Sequence, residues 1–283
     1  MATPTIETRG EHACFGGVQG FYSHASAQTG TTMNFAVFQP PQAKNGAVPA
    51  LYFLAGLTCT EETFMIKAGA QRRAAELGLM LVACDTSPRG IELPGDREHW
   101  DFGVGAGFYI DATASLWAAH YRMGSYVNHE LPDLVEAHFP ARRDARGIFG
   151  HSMGGHGALV TALRHPQRWH SASAFAPISN PIAVPWGRKA FTHYLGGDTA
   201  GWQHWDASVL MRTRPHPREI LVDQGEADQF LAGQLHPQAL EAAAAESGQA
   251  LRLRRHAGYD HSYWFIQSFV ADHLAFHAAQ LTF

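Results

Sequence analysis

The sequence predicts an α/β fold built on a mostly parallel sheet, and three observations carry that reading. Short β-branched or aliphatic runs recur along the chain, stretches long enough for a helix separate them, and one run turns into one such stretch through a serine flanked by glycines. Eight strands are expected, at residues 17–22, 33–38, 50–54, 79–83, 146–149, 172–175, 219–222 and 251–256. Helix-like apolar spacing lies between them at 61–77, 124–139, 155–165, 236–247 and 262–279, with Pro132 a kink or late start in the second. Helices should therefore cover both faces of the sheet. Residues 40–49 read as a hairpin-type loop, and no internal repeat breaks the chain, so 1–283 is expected to form a single domain. The long segment 86–123 is rich in Gly, Trp, Tyr and Phe with weak periodicity, and a loop of that length in a compact domain is usually functional.

Composition narrows the function classes. Hydrophobic residues make up 46% and charged residues 16%, the balance of a folded chain rather than a disordered one. A net charge of −4, with Lys and Arg scattered, offers no basic face to a phosphate backbone, so nucleic acid is not an expected partner. The N-terminal stretch carries Glu7 and Arg9 and has no apolar core of a signal peptide, and no run of apolar residues is long enough to span a bilayer. A soluble, cytoplasmic protein without membrane partners is expected. Cys14, Cys59 and Cys84 are too few and too far apart for a disulfide framework or a thiolate metal site, which suits a reducing compartment. The 18 histidines form no His-Glu-x-x-His helix, so neither metal nor other cofactor is expected. A homodimer is the default among soluble oligomers.

The chemistry is concentrated around Gly150-His-Ser152-Met-Gly154. A bare Gly-x-Ser-x-Gly arises often by chance, and a serine there could simply cap a helix. A strand before it and a helix after it are the context of a nucleophile elbow, in which glycines leave room for a sharp turn that lifts the serine hydroxyl out of the sheet. The helix start then places backbone N–H groups and a positive dipole end beside the reacting carbonyl. Such a serine needs a base, and the base an orienting acid, in the chain order Ser, Asp or Glu, His. After the strand at 219–222 come Asp223, Glu226 and Asp228; after that at 251–256 comes His261, between a glycine turn and the last helix. His261 is the expected base, since His256 falls inside a strand pattern. Spacing alone does not choose among the three acids, and Asp223 could equally cap its own turn. The loop opening at Gly56, after the strand at 50–54, would bring the Leu57 N–H to the oxyanion beside that of Met153.

Together these motifs resemble the S-formylglutathione hydrolase (esterase D) family of serine thioesterases, which has the α/β-hydrolase fold. The resemblance runs through Gly56-Leu-Thr-Cys-Thr-Glu-Glu62, Asp85-Thr-Ser-Pro-Arg-Gly90, Trp100-Asp-Phe-Gly103, Gly105-Ala-Gly-Phe-Tyr109, Tyr121-Arg-Met123, Gly150-His-Ser-Met-Gly-Gly-His-Gly157, Pro185-Trp-Gly-Arg-Lys-Ala-Phe191, Asp228-Gln-Phe230 and Tyr259-Asp-His-Ser-Tyr263. It implies a triad of Ser152, Asp228 and His261, oxyanion donors at Leu57 and Met153, and a thiol close to the site at Cys59, which could equally be an inert buried cysteine. The implied substrate is a small glutathione thioester, cleaved to formate and glutathione through a formyl-serine. Trp100, Phe102 and Trp186 are candidates to narrow the acyl pocket, each of them equally able to be a core aromatic, and Lys67, Arg188 and Lys189 to meet the glutathione carboxylates. The chain departs from the family at Gly124, where a larger residue is expected, and at Val184, where relatives often carry cysteine.

Overall fold

The computed structural model describes residues 5–281; the first four residues of the N-terminal stretch considered above lie outside them. Among the described residues nine strands form one sheet in the order β1-β2-β3-β5-β4-β6-β7-β8-β9. They are β1 (Glu7–Cys14), β2 (Gly17–Ala25), β3 (Thr32–Gln39), β4 (Val48–Leu54), β5 (Met80–Cys84), β6 (Ala141–His151), β7 (Ser171–Phe175), β8 (Ile220–Gly225) and β9 (Leu251–His256). The first three pair antiparallel, as does β3 with β5, and every pairing from β5 across to β9 is parallel.

The strand count is therefore nine rather than eight, and the reason lies in β1. Its residues are mostly exposed and polar, so it has no apolar alternation to detect. Backbone pairing to β2, with side-chain bonds such as Arg9 to Glu61 and Tyr22 to Glu11 at 2.7 Å, holds it at the sheet edge, and its charged side chains suit an edge that must not recruit another chain. The central strands are the opposite case: β5, β7 and β8 are buried along their whole length, β5 and β7 with the continuous apolar or small-residue pattern of strands covered on both faces, β8 with an apolar run that ends in buried Asp223 and Gln224.

The helices are α1 (Glu61–Lys67), α2 (Gln71–Leu77), α3 (Met123–Ser125), α4 (Leu131–His138), α5 (Met153–Arg164), α6 (Pro185–Leu195), α7 (Ala207–Thr213), α8 (Pro237–Ser247) and α9 (Tyr263–Leu281). The single helix expected over 61–77 is two, because Gly69 adopts φ +66 and turns the chain between them. Pro132 marks the late start that was one of its two expected roles: it sits in the first turn of α4, directly after a π-helical turn at Tyr126–Glu130 that follows α3. Helices α6 and α7 were not expected. Both carry start signals, Pro185 at the first position of α6 and Asp206 capping α7 by accepting the Val209 N–H at 3.1 Å.

The segment 86–123 is loop, as expected, and is organised by buried aromatics rather than by backbone regularity. Phe102, Trp117 and Tyr121 gather around Tyr194 of α6, with ring centroids 4.8–5.4 Å from it.

Between α9 and the sheet lies a buried polar chain. His277 meets the Ser171 and Ser173 hydroxyls at 2.6 and 2.8 Å, and His273 meets Ser173 at 2.8 Å while lying 3.2 Å from Asp223. Burial lowers the pKa of His273, and that of His277 far below the ordinary value; His156, fully buried within α5, is lowered to about 4. These native rings stay neutral in the range where the unfolded histidines take up protons. Stability should thus be present in full above about pH 6.5 and be lost as pH falls toward 4, the His156 share alone reaching about 2 kcal/mol at pH 5. The urea midpoint is expected to drop between pH 7 and pH 5, and His156→Leu to flatten that drop. An unchanged slope in the variant would mean that His156 takes no part in it.

Candidate active site

Segments at the C-terminal ends of the six parallel strands β4 to β9 converge on one cavity of about 220 Å³, lined by Gly56, Leu57, Cys59, Trp100, His151, Ser152, Trp186, Phe230, His261 and Tyr263. Ser152 stands between β6 and α5 at φ 57, ψ −120, a conformation that costs a non-glycine residue on the order of 1–3 kcal/mol. Neighbours hold it there. Its N–H donates to the Phe175 carbonyl at the end of β7 (2.9 Å), and its own carbonyl accepts from His156 (3.0 Å) and Ile178 (3.3 Å). The flanking glycines are obligatory: a Cβ on Gly150 would fall 2.2 Å from the Gly154 carbonyl oxygen, and one on Gly154 only 1.9 Å from that of Leu54.

The other side chains arrive from β8 and β9. His261 Nδ1 and Asp228 Oδ2 are 2.5 Å apart, and Asp228 is pinned in turn by the Phe230 N–H to Oδ1 (2.8 Å) and Gln224 Nε2 to Oδ2 (3.4 Å). The Asp228 carboxylate is fully buried and His261 nearly so, with Phe230 edge-on to the imidazole at 5.0 Å. A buried carboxylate on Nδ1 fixes the tautomer that leaves Nε2 free to accept a proton. Asp223, the rival acid, is engaged elsewhere: Arg254 clasps both its oxygens at 2.6 Å, and His273 and His256 lie 3.2 and 3.3 Å away. Burial pushes this carboxyl up, but the hydrogen bonds from His273 and Arg254 outweigh it and hold it well below the usual carboxylate range. Glu226 is exposed in the loop that follows and makes its backbone bond to His256.

Gly56 packs directly on the elbow, since a Cβ there would lie 3.2 Å from that of Ser152 and 3.4 Å from the His151 carbonyl oxygen. The turn that follows closes with the Cys59 N–H on the Gly56 carbonyl (3.3 Å), and Thr58, at φ 68, donates its N–H to Gly105 (2.9 Å). Leu57 is thereby held beside Ser152 in the cavity wall, and Met153 opens α5, where the first N–H groups of a helix have no partner within it. Leu57 and Met153, the two residues expected to supply oxyanion donors, thus both adjoin the serine, one across the cavity wall and one in sequence.

These arrangements resemble known proteins over the whole chain. The Esterase family model matches residues 26–276. S-formylglutathione hydrolase of Paracoccus denitrificans (strain Pd 1222) is 54% identical over 279 residues, covering 99% of each chain. The chain belongs to the S-formylglutathione hydrolase family. The Bos taurus member is 50% identical over 270 residues, 95% of this chain and 96% of its own. A solved S-formylglutathione hydrolase from Agrobacterium tumefaciens superposes with a TM-score of 0.95 at 46% identity, covering 98% of this chain and 100% of that one. A ferulic acid esterase at 17% identity and TM-score 0.68 shares the fold.

Of the pocket candidates, Trp100 and Trp186 form one wall, edge to face at 5.5 Å, with Trp186 against Phe230 at 4.7 Å. Phe102 does not line the cavity. It is buried in the cluster with Trp117 and Tyr194, because α6 sets the Tyr194 ring on Phe102 while its Trp186 meets the exposed Trp100 two residues earlier. Cys59 is in the cavity wall, and burial pushes its thiol pKa up despite Thr63 and Lys67 nearby. Three lining residues had been assigned no role from sequence: His151, Phe230 and Tyr263. Each stands one or two positions from Ser152, Asp228 or His261, and that adjacency is the signal that could have found them. His151 is buried with its ring 4.4 Å from that of His261, and burial first, then the His261 charge, hold it neutral. Gly124 and Val184 lie away from the cavity; a Cβ on Gly124 would meet the Trp205 ring at 2.9 Å, so Trp205 occupies the space that a larger residue would need.

Among the described residues no three His, Cys, Asp or Glu side chains gather as a metal site requires, and no helix is long and apolar enough to cross a membrane.

Proposed function

We propose that this protein hydrolyses S-formylglutathione to formate and glutathione through a formyl-serine. The reading is carried by 54% identity over 99% of the chain to a protein of that name, joined to a serine, a histidine and a buried aspartate placed around one narrow cavity. His261 takes the proton of the Ser152 hydroxyl as Oγ attacks the formyl carbon. The oxygen of the resulting tetrahedral adduct takes the negative charge and accepts from the Leu57 and Met153 N–H groups, each worth about 3 kcal/mol in sites of this kind. Asp228 holds the ring in the accepting tautomer and balances the imidazolium. Collapse of the adduct breaks the C–S bond, and the thiolate, a good leaving group that needs no prior protonation, takes the proton held by the His261 imidazolium, so that glutathione departs as the thiol and His261 is again a neutral base. Water then gives a proton to His261 and its oxygen to the formyl carbon, and the second adduct releases formate and restores the serine hydroxyl.

The apolar walls supplied by Trp100, Trp186, Leu57 and Phe230 suit a minimal acyl group and keep bulk water from the adduct. Free Cys14, Cys59 and Cys84 support a reducing compartment, the cytoplasm, as the place of action. The test is the rate of thioester loss with S-formylglutathione beside S-lactoylglutathione and p-nitrophenyl acetate. The formyl thioester is expected to be turned over fastest. Turnover of the nitrophenyl ester alone would keep the serine chemistry and discard the glutathione substrate.

A further inference from the structure

The catalytic cavity accounts for the acyl end of a thioester but not for the peptide attached to it. A second cavity of about 480 Å³ is lined by Lys67, Tyr263, Trp264 and Gln267. Tyr263 lines both cavities, so the two adjoin across one phenol ring. Lys67 ends α1, and Tyr263, Trp264 and Gln267 begin α9 at spacings that put the last two on one face. The Lys67 ammonium stands 5.9 Å from the centre of the Tyr263 ring, and among the described residues no carboxylate lies within ion-pair distance of it. Trp264, 76% exposed, extends beside it as an apolar face with nothing packed over it.

We infer that this second cavity receives the glutathionyl part of the substrate, with Lys67 pairing to one of its two carboxylates and Trp264 covering the peptide. The inference rests on the reading of the substrate given above. Reach allows it: the Tyr263 ring lies 6.1 Å from that of His151, next to Ser152, and 5.9 Å from the Lys67 ammonium, steps that one arm of a tripeptide can cover at about 3.5 Å per residue plus the cysteine side chain. Charge allows it too, and separates Lys67 from the other cations near the site. Lys189 is already bound to both oxygens of Asp101, at 2.8 and 2.9 Å, and Arg188 is exposed on α6 and lines neither cavity. A carboxylate held by an ammonium at a half-open site gains a charge-assisted bond while the acyl end remains free to meet the serine.

The experiment is steady-state kinetics of the full chain and of Lys67→Ala, Lys67→Glu and Lys67→Arg on S-formylglutathione and p-nitrophenyl acetate, with free glutathione as inhibitor of the ester reaction. Lys67→Ala is expected to raise KM for the glutathione thioester roughly tenfold, the order of one charge-assisted bond, with kcat nearly held. Lys67→Glu should raise it further and Lys67→Arg should restore much of the loss. The nitrophenyl ester, which has no carboxylate, should lose far less, and inhibition by glutathione should weaken in step with KM. Equal losses on both substrates would make Lys67 a structural residue, and an unmoved KM with the unaltered protein active on the thioester would remove the subsite while leaving the activity. No thioester turnover by the unaltered protein would overturn the substrate and this subsite together.

Discussion

Replacing Ser152 by alanine is expected to lower kcat on S-formylglutathione by about a million-fold, the loss seen when a serine that works as a unit with its base is removed. The substitution deletes one oxygen and little else. Alanine inherits the backbone at φ 57, and the clamps that hold it there, the Phe175 carbonyl on the N–H and the His156 and Ile178 N–H groups on the carbonyl, involve no side-chain atom of Ser152. The urea midpoint should therefore stay close to that of the unaltered protein, so the loss of rate reads chemistry rather than folding. Residual hydrolysis above the rate in water, about a thousand-fold or more, should survive through the oxyanion donors and binding. Burst kinetics with p-nitrophenyl acetate give the complementary measurement: one equivalent of nitrophenol released rapidly by the unaltered protein, none by the variant. A variant retaining a substantial fraction of its activity would mean that the nucleophile is another group, and Cys59, in the wall of the same cavity, would be the first to examine.

The sequence made the parallel strands and the elbow legible because each is enforced by local chemistry. β5, β7 and the apolar run Ile220-Leu-Val222 of β8 are buried on both faces and are apolar or small; Gly150 and Gly154 must be glycine because carbonyl oxygens stand where a Cβ would go. The position of His261 was legible for the same kind of reason, since β9 delivers it to the cavity wall while His256 remains in the strand. What escaped depended on contacts between segments remote in the chain. β1 has no pattern of its own and exists through pairing with β2. Phe102 and Trp100 are two residues apart and aromatic, yet one joins the core and the other the active-site rim, a difference created by α6 arriving with Tyr194 and Trp186. The choice among Asp223, Glu226 and Asp228 needed the resemblance for the same reason: nothing within Asp223-Gln-Gly-Glu-Ala-Asp228 records that Arg254 and His273, from β9 and α9, take the first carboxylate for themselves.

Asp228→Asn and Asp223→Asn should consequently fail in different ways. Asparagine at 228 keeps the size of the side chain and can still receive the Phe230 N–H, now at 2.8 Å to Oδ1, but the atom facing His261 Nδ1 becomes an amide nitrogen or a neutral oxygen. With a donor there the ring turns its other tautomer to the serine, and Nε2 then carries a proton when it should accept one. With the neutral oxygen there, the imidazolium formed during attack has no buried charge to balance it. The expected loss in kcat is about ten-thousand-fold, with little change in the unfolding midpoint. At 223 the carboxylate holds Arg254 by two bonds of 2.6 Å and faces His273 across 3.2 Å, all away from the cavity. Loss of its charge leaves Arg254 with Asp272, at 2.8 Å, as its remaining acidic partner. That retained partner and the partial exposure of the guanidinium should keep the cost to about 2 kcal/mol, below what a fully buried pair loses when broken. Its kcat per folded molecule should remain close to normal, because neither β8 nor the Asp228 loop depends on the charge for its course. Urea melts beside single-substrate kinetics on the two variants separate the roles. Equal losses of kcat at both positions would mean that the two aspartates act through one network on His261, and the assignment of Asp228 as the sole orienting acid would have to be abandoned.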